Sequence, residues 1–202
     1  MKKILFILGL AAIAFALYHF VFKKDDVPEG PKQQPIAVKS HSQGFNKNVD
    51  SLLDAYGAIR DAFVDADSLK AKVAAGSLIA LVNRLSLDEL KKDTTGIFET
   101  AASILNDIKA NAENMGRSQT ITDMRHDFSD LSNNLYPFVK AVHYNGKTLY
   151  WQLCEMPFEE GSRANWISDK PEIMNPYLGK SHPVYKSGML HCGETQDSIK
   201  AQ

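Results

Sequence analysis

Cysteine is scarce in this chain: Cys154 and Cys192 are the two in 202 residues, which leaves room for at most one internal disulfide. Charge of one sign is scarce too. The formal net charge is −1, and the basic runs are no longer than doublets, among them Lys2-Lys3 and Lys23-Lys24. A nucleic-acid binder should carry a basic face, so nucleic acid is excluded as a partner. There is no nucleophile elbow, phosphate loop, Cys-x-x-Cys or haem attachment sequence, and no Glu-x-x-His pair of the kind that builds a di-metal bundle site. Asp169, Glu172 and His182 are the best enzymatic candidates and form no recognisable constellation. The chain is therefore not expected to be an enzyme, and it shows no internal repeat.

What is present begins with one long apolar run. The N-terminus reads MKKILFILGLAAIAFALYHFVFKKDD, a basic start followed by Ile4 to Phe22. That run is about 28 Å long as a helix, just enough to cross a hydrocarbon core. Residues 1–24 are expected to be an inner-membrane anchor. Ala14-Phe15-Ala16 also fits the small-x-small rule of a cleavable signal peptide, although cutting there would leave the greasy start LYHFVF. Either way the rest is expected in the periplasm, where disulfides are permitted. Residues 25–44, DDVPEGPKQQPIAVKSHSQG, are rich in Pro, Gly and polar side chains and read as an extended tether.

The remainder has ordinary globular composition, 44% hydrophobic and 23% charged,. Phe45, Val49, Leu52, Tyr56, Ile59 and Phe63 alternate four and three apart and make one apolar stripe on a helix. Asp67 or Ser68 can cap a second helix carrying Leu69, Val73, Leu78, Leu81 and Leu85, weakened by Gly76. A third, over about 95–115, carries Ile97, Ala101, Ile104, Ile108 and Met115, with Gly116 as its C-cap. A fourth, from Ser118, carries Ile121, Met124, Phe128, Leu131, Leu135, Phe138 and Val142. Pro137 should bend it or end it early. The expected fold is mainly α: an antiparallel four-helix up-down bundle over 45–144 with a small C-terminal strand and loop cap over 145–199. Asp50, Asp54, Asp61 and Asp65 read as a solvated face, Met124 as core, and His126, His41 and His143 as surface residues.

Past Tyr144 the helical period vanishes. Asn145-Gly146 signals a turn, and the aromatic and branched run after it fits a strand over about 148–154. Gly and Pro punctuate the rest, with Trp151, Phe158, Trp166 and Tyr177 as packing anchors.

The segments LCEMPF, ANWISDKPEIMNPYLG and MLHCGET resemble the C-terminal signature of the DUF3347 family, exported domains found mainly in Bacteroidetes. The matching residues are Cys154, Met156, Phe158, Trp166, Ser168, Ile173, Asn175, Pro176, Tyr177, Gly179, Met189, Leu190, Cys192, Gly193 and Glu194. FNKNVDSLLDAYGAIRDAFVDAD and FSDLSNNLYPFVKA match the helical part, so the resemblance spans about 45–199. Two departures stand out. The family's Cys-Pro-Met is here Cys154-Glu155-Met156-Pro157, and KSHPVYKSG is longer than the usual link and adds His182. The family has no settled activity. Its occurrence beside adaptor subunits of heavy-metal efflux pumps implies metal binding, or a role next to such a pump or another envelope protein.

Two expectations for the sulfur residues stay open. Cys154, Met156, Met189 and Cys192, with His191 as accessory, could converge on copper(I) or another soft ion, which thiolate and thioether select over hard cations. Cys154 and Met156, two apart on a strand, share a face, and Gly188 and Gly193 would permit the turn that Met189 and Cys192 need. Alternatively Cys154 and Cys192 form a disulfide that staples the cap of an interaction module with no metal, the methionines packing beside it.

Overall fold

The computed structural model describes residues 41–93, 96–159, 161–180, 182 and 184–201. The expected anchor at 1–24 and most of the expected tether lie outside the described residues. Four helices follow one another, α1 (Gln43–Val64), α2 (Ser68–Val82), α3 (Ile97–Arg117) and α4 (Ile121–Ala141). A 3-10 turn, Asp88–Lys92, lies between α2 and α3. Consecutive helices pack on one another, and three strands, β1 (Leu149–Cys154), β2 (Ala164–Ser168) and β3 (Glu194–Ile199), complete the fold. The protein is thus a helical bundle with a C-terminal strand cap.

The helix ends follow local chemistry. Ser42, Asp67 and Thr120 each accept a backbone N–H three residues on, from Phe45, Lys70 and Asp123, which satisfies donors that have no partner inside the helix. Gly116 is not a C-cap. The helix runs on to Arg117, and the Ser118 N–H closes on the Asn114 carbonyl. Pro137 does not end α4, which continues to Ala141. Pro137 and Asn133, four residues earlier, are both exposed, so the carbonyl that proline leaves without a donor faces water.

The inward faces of α1 and α4 are the expected stripes. Val49, Leu52, Tyr56, Ile59 and Phe63 meet Phe128, Leu131, Leu135 and Phe138 in the core. The second helix departs from expectation. Its buried residues are Ala71, Ala74, Ala75, Leu78 and Val82, while Leu69 is 72% and Val73 67% exposed. Leu69 and Ala71 differ by about 200° around the axis, so the inner face keeps Leu78 from the expected stripe and lies nearly opposite Leu69. Small side chains there let α2 pack closely against both α1 and α3. His41, expected at the surface, is buried. Its Nε2–H donates to the Val142 carbonyl and its ring tilts on Phe45 at 4.5 Å. The last residues of the expected tether therefore already belong to the fold.

The cap is an antiparallel sheet of order β2-β1-β3. Tyr150 pairs with Ser168 and Cys154 with Ala164 on one side, and Leu149 with Ile199 and Leu153 with Glu194 on the other. Trp151 faces Asp197 while the next residue, Gln152, faces Thr195. Gln196 is thus an extra residue on β3, a bulge. β2 lies against α4 and α1, and Trp151 stacks on Tyr136 of α4 at 4.3 Å. Tyr56 fastens the layers: its hydroxyl accepts the Ile167 N–H at 3.0 Å and bonds Ser132 Oγ at 2.7 Å. The Ser132 hydroxyl proton goes to the Phe128 carbonyl, so Tyr56 donates in that pair and every group is satisfied.

Candidate functional site

β1 ends at Cys154, which has no exposed surface. Continuing the Leu153–Glu194 pairing by one residue sets Cys154 alongside Gly193, next in the chain to Cys192. Both cysteines are free thiols. Gly193 makes this approach possible. Its φ is +144°, and a Cβ there would sit 2.5 Å from the Leu153 carbonyl oxygen and 3.1 Å from Trp166 Cη2. Only a residue without a side chain fits.

Asn175 organises the other side. Its backbone N–H donates to the Leu190 carbonyl and its Nδ2 to the Cys192 carbonyl, both at 2.8 Å. The side-chain amide also reaches the Cys154 thiol, while Oδ1 accepts the N–H groups of Tyr177 and Leu178. An Asx turn thus places one buried amide against both cysteine segments. Tyr177 after it is buried, donates its hydroxyl to the Asn165 carbonyl, and packs edge-on against Trp166 and Phe158. Phe158 in turn stacks on the exposed ring of His126 at 3.7 Å. Gln152, also buried, donates to the carbonyls of Lys170, Pro171 and Glu172 and holds down the loop leading to Asn175. Burial pushes the Cys154 thiol above its usual range, against hydrogen bonds from Asn175 and the Met156 N–H. It is a neutral thiol near pH 7 and must release a proton to ligate a metal.

The other expected ligands are placed unequally. Met189 is half-buried at the edge of the core and linked to Cys192 through one turn, the Cys192 N–H donating to its carbonyl at 3.1 Å. Met156 lies past the strand end, 53% exposed. His191 is exposed, with Nδ1 bonded to the Ile173 carbonyl at 2.8 Å. Among the described residues no three of His, Cys, Asp and Glu converge to hold a metal ion. Of the expected ligands, Cys154, Met189 and Cys192 lie in or against the core, and Met156 and His191 are exposed.

The carboxylates along α1 are more than a solvated face. Asp50 accepts the Tyr144 hydroxyl, Asp54 pairs with Lys147 at 2.6 Å, and Asp65 with Lys180 at 2.6 Å. Asp61 pairs with Arg60, whose side chain is 12% exposed and also reaches Asp169 at 3.3 Å. These contacts hold the segments after the bundle along α1. Each exposed pair adds little stability, but together they fix where the cap sits. Two cavities of about 280 and 300 Å³ flank Arg60. Arg125 does similar work from α4, donating to the carbonyls of Phe63 and Pro176. Burial lowers its pKa to about 10. Of the enzymatic candidates, Asp169 is a partner of Arg60, Glu172 is exposed, and His182 Nδ1 accepts the N–H groups of Val184 and Tyr185.

The sequence pointed to both cysteines through their rarity and their flanking methionines. It gave no role to Asn175 or Gln152, although a glutamine amid YWQLC and an asparagine before Pro-Tyr were visible signals.

The family model for DUF3347, a protein of unknown function, matches residues 52–147. That span is the helical body, and the Cys and Met segments follow it. No curated protein and no solved structure matches the chain. Over its helical body the chain is similar to the DUF3347 family.

Proposed function

We propose that the protein is a membrane-tethered periplasmic domain that holds a soft metal ion, copper(I) by the chemistry of its donors, and serves metal handling or efflux. What supports this reading is the close approach of the two segments that carry Cys154 and Cys192, far apart in sequence and both free thiols, at the end of the β1–β3 ladder. Cys154 and Cys192 would be the principal ligands and Met189 a third. His191 and Met156 stand at the rim as accessories. Two thiolates and a thioether supply the soft, polarisable donors that favour copper(I) over hard divalent ions. The protein's part is to hold the sulfurs in register. Gly193 seats one segment on β1, and Asn175 fixes the carbonyl of Cys192 while donating to the Cys154 sulfur.

The test is a copper(I) titration of the reduced chain against a competing chelator. Loss of binding in Cys154→Ser and in Cys192→Ser is the expected result, with a weaker loss in Met189→Leu. Unchanged affinity in the double serine variant would reject the site.

A further inference from the structure

The two thiols differ in what can reach them. Cys154 is completely buried, between Ala164 on β2 and the segment around Gly193, under the Asn175 amide. Cys192 is half-buried on the rim, between the exposed His191 and Gly193. Neither is bridged, and the seat of Gly193 on the Leu153 carbonyl brings the Cys192 segment against the end of β1 that carries Cys154. We infer that Cys154 and Cys192 form a thiol–disulfide switch with a fixed order, in which Cys192 exchanges first with a low-molecular-weight disulfide and Cys154 resolves the adduct.

Each step balances without a further oxidant. Cys192 gives its proton to water and its sulfur attacks one sulfur of the small disulfide. A Cys192–S–S–R bond forms, the original bond breaks, and one thiolate leaves with the electron pair and takes up a proton. Cys154 then releases its proton, its sulfur attacks the Cys192 sulfur, and the second small thiolate leaves. Two protein thiols are oxidised by two electrons, and one small disulfide is reduced to two thiols. The order follows from access, since a bulky disulfide can reach Cys192 at the rim, while Cys154 is open only to its neighbour. The second step is intramolecular between segments the fold already holds against each other, which raises its effective concentration. Its consequence rests on the metal reading: closing the bridge removes both thiolates, so oxidation would empty the soft-ion site and reduction would restore it.

The full chain, reduced and free of metal, is incubated with glutathione disulfide, quenched with acid, and followed by intact mass and peptide mapping. The parent should pass to the intramolecular disulfide without accumulating adduct. Cys154→Ser should stall as the mixed disulfide on Cys192, and Cys192→Ser should be modified at least about tenfold more slowly, because its thiol must await local opening. Alkylation of the reduced parent gives the same order without variants: Cys192 should label about tenfold faster than Cys154. Equal labelling of the two thiols, or a parent that halts at a glutathione adduct, would overturn the switch. Copper(I) titration of the same samples separates the two readings. Ordered exchange in a chain that binds no copper(I) supports the switch and sinks the metal site. Copper(I) binding without the internal bridge does the reverse.

Discussion

Replacing Gly193 with alanine adds one methyl group where β3 enters the sheet. The new carbon would lie 2.5 Å from the Leu153 carbonyl oxygen, 3.1 Å from Trp166 Cη2 and 3.4 Å from Ile173 Cγ2. The nearest of these is main chain of a strand paired on both sides, and Trp166 is fully buried, so neither can swing aside. The backbone at φ +144° adds strain of about 1–3 kcal/mol for a residue with a side chain, and overpacking adds about 1–3 kcal/mol more. The sum, about 2–6 kcal/mol, is a large part of the roughly 5–15 kcal/mol of a typical domain. It corresponds to a fall of about 5–20 °C in Tm for a domain of this size. Relief would come from moving β3 away from β1, so Cys154 should lose its protection as stability falls. Thermal unfolding of the reduced chain and the alkylation rate of Cys154 measure the two effects. Gly188→Ala is the control: nothing lies within 4 Å of a Cβ there, and stability should stay within about 0.5 kcal/mol. If Gly193→Ala melts within about 2 °C of the parent with Cys154 still protected, the close seat of the Cys192 segment on β1 is wrong, and the sulfur site goes with it.

Three further outcomes follow from the packing. Tyr56→Phe leaves the buried Ile167 N–H without its acceptor and should lower the urea unfolding free energy by about 1–3 kcal/mol at an unchanged m value; a change below a few tenths would show that β2 is not fastened there. Leu69→Lys and Val73→Lys, at sites 72% and 67% exposed, should each shift stability by no more than about 0.5 kcal/mol, whereas a loss of about 2 kcal/mol or more would restore them to the core. The Tyr136 hydroxyl, and then Lys140, hold the Asp197 carboxyl below its ordinary value. Its contribution is therefore fully present above the unfolded carboxyl pKa of about 3.9 and is lost as pH falls through the lower folded value. Urea midpoints of the parent and Asp197→Asn should differ at neutral pH and converge below about pH 4, and a gap that widens in acid would contradict that sign.

Where the sequence was legible, the information was local. The four-and-three alternation from Phe45 to Phe63 and from Ile121 to Val142 specifies two inward faces, because one helix can bury only one stripe. Asp67 marks a helix start whatever surrounds it, since its side chain bonds a backbone N–H three residues ahead,. The strand ending at Cys154 was visible for the same reason, as a turn signal followed by aromatic and branched residues.

What only the tertiary structure decided depends on partners distant in the chain. The second helix holds apolar residues on two nearly opposite faces, and hydropathy ranks Leu69 and Val73 above Ala71, Ala74 and Ala75. The alanines face inward because α1 and α3 both pack against them, a condition that α2 alone does not encode. His41, Asn175 and Gln152 are buried where backbone carbonyls elsewhere in the chain accept from their side-chain N–H groups. The segments that carry Cys154 and Cys192 are neighbours because β1 and β3 pair in one register, and a slip of one residue would turn the side chains of a strand to the other face. Periodicity says which residues share a face; long-range pairing decides which faces meet.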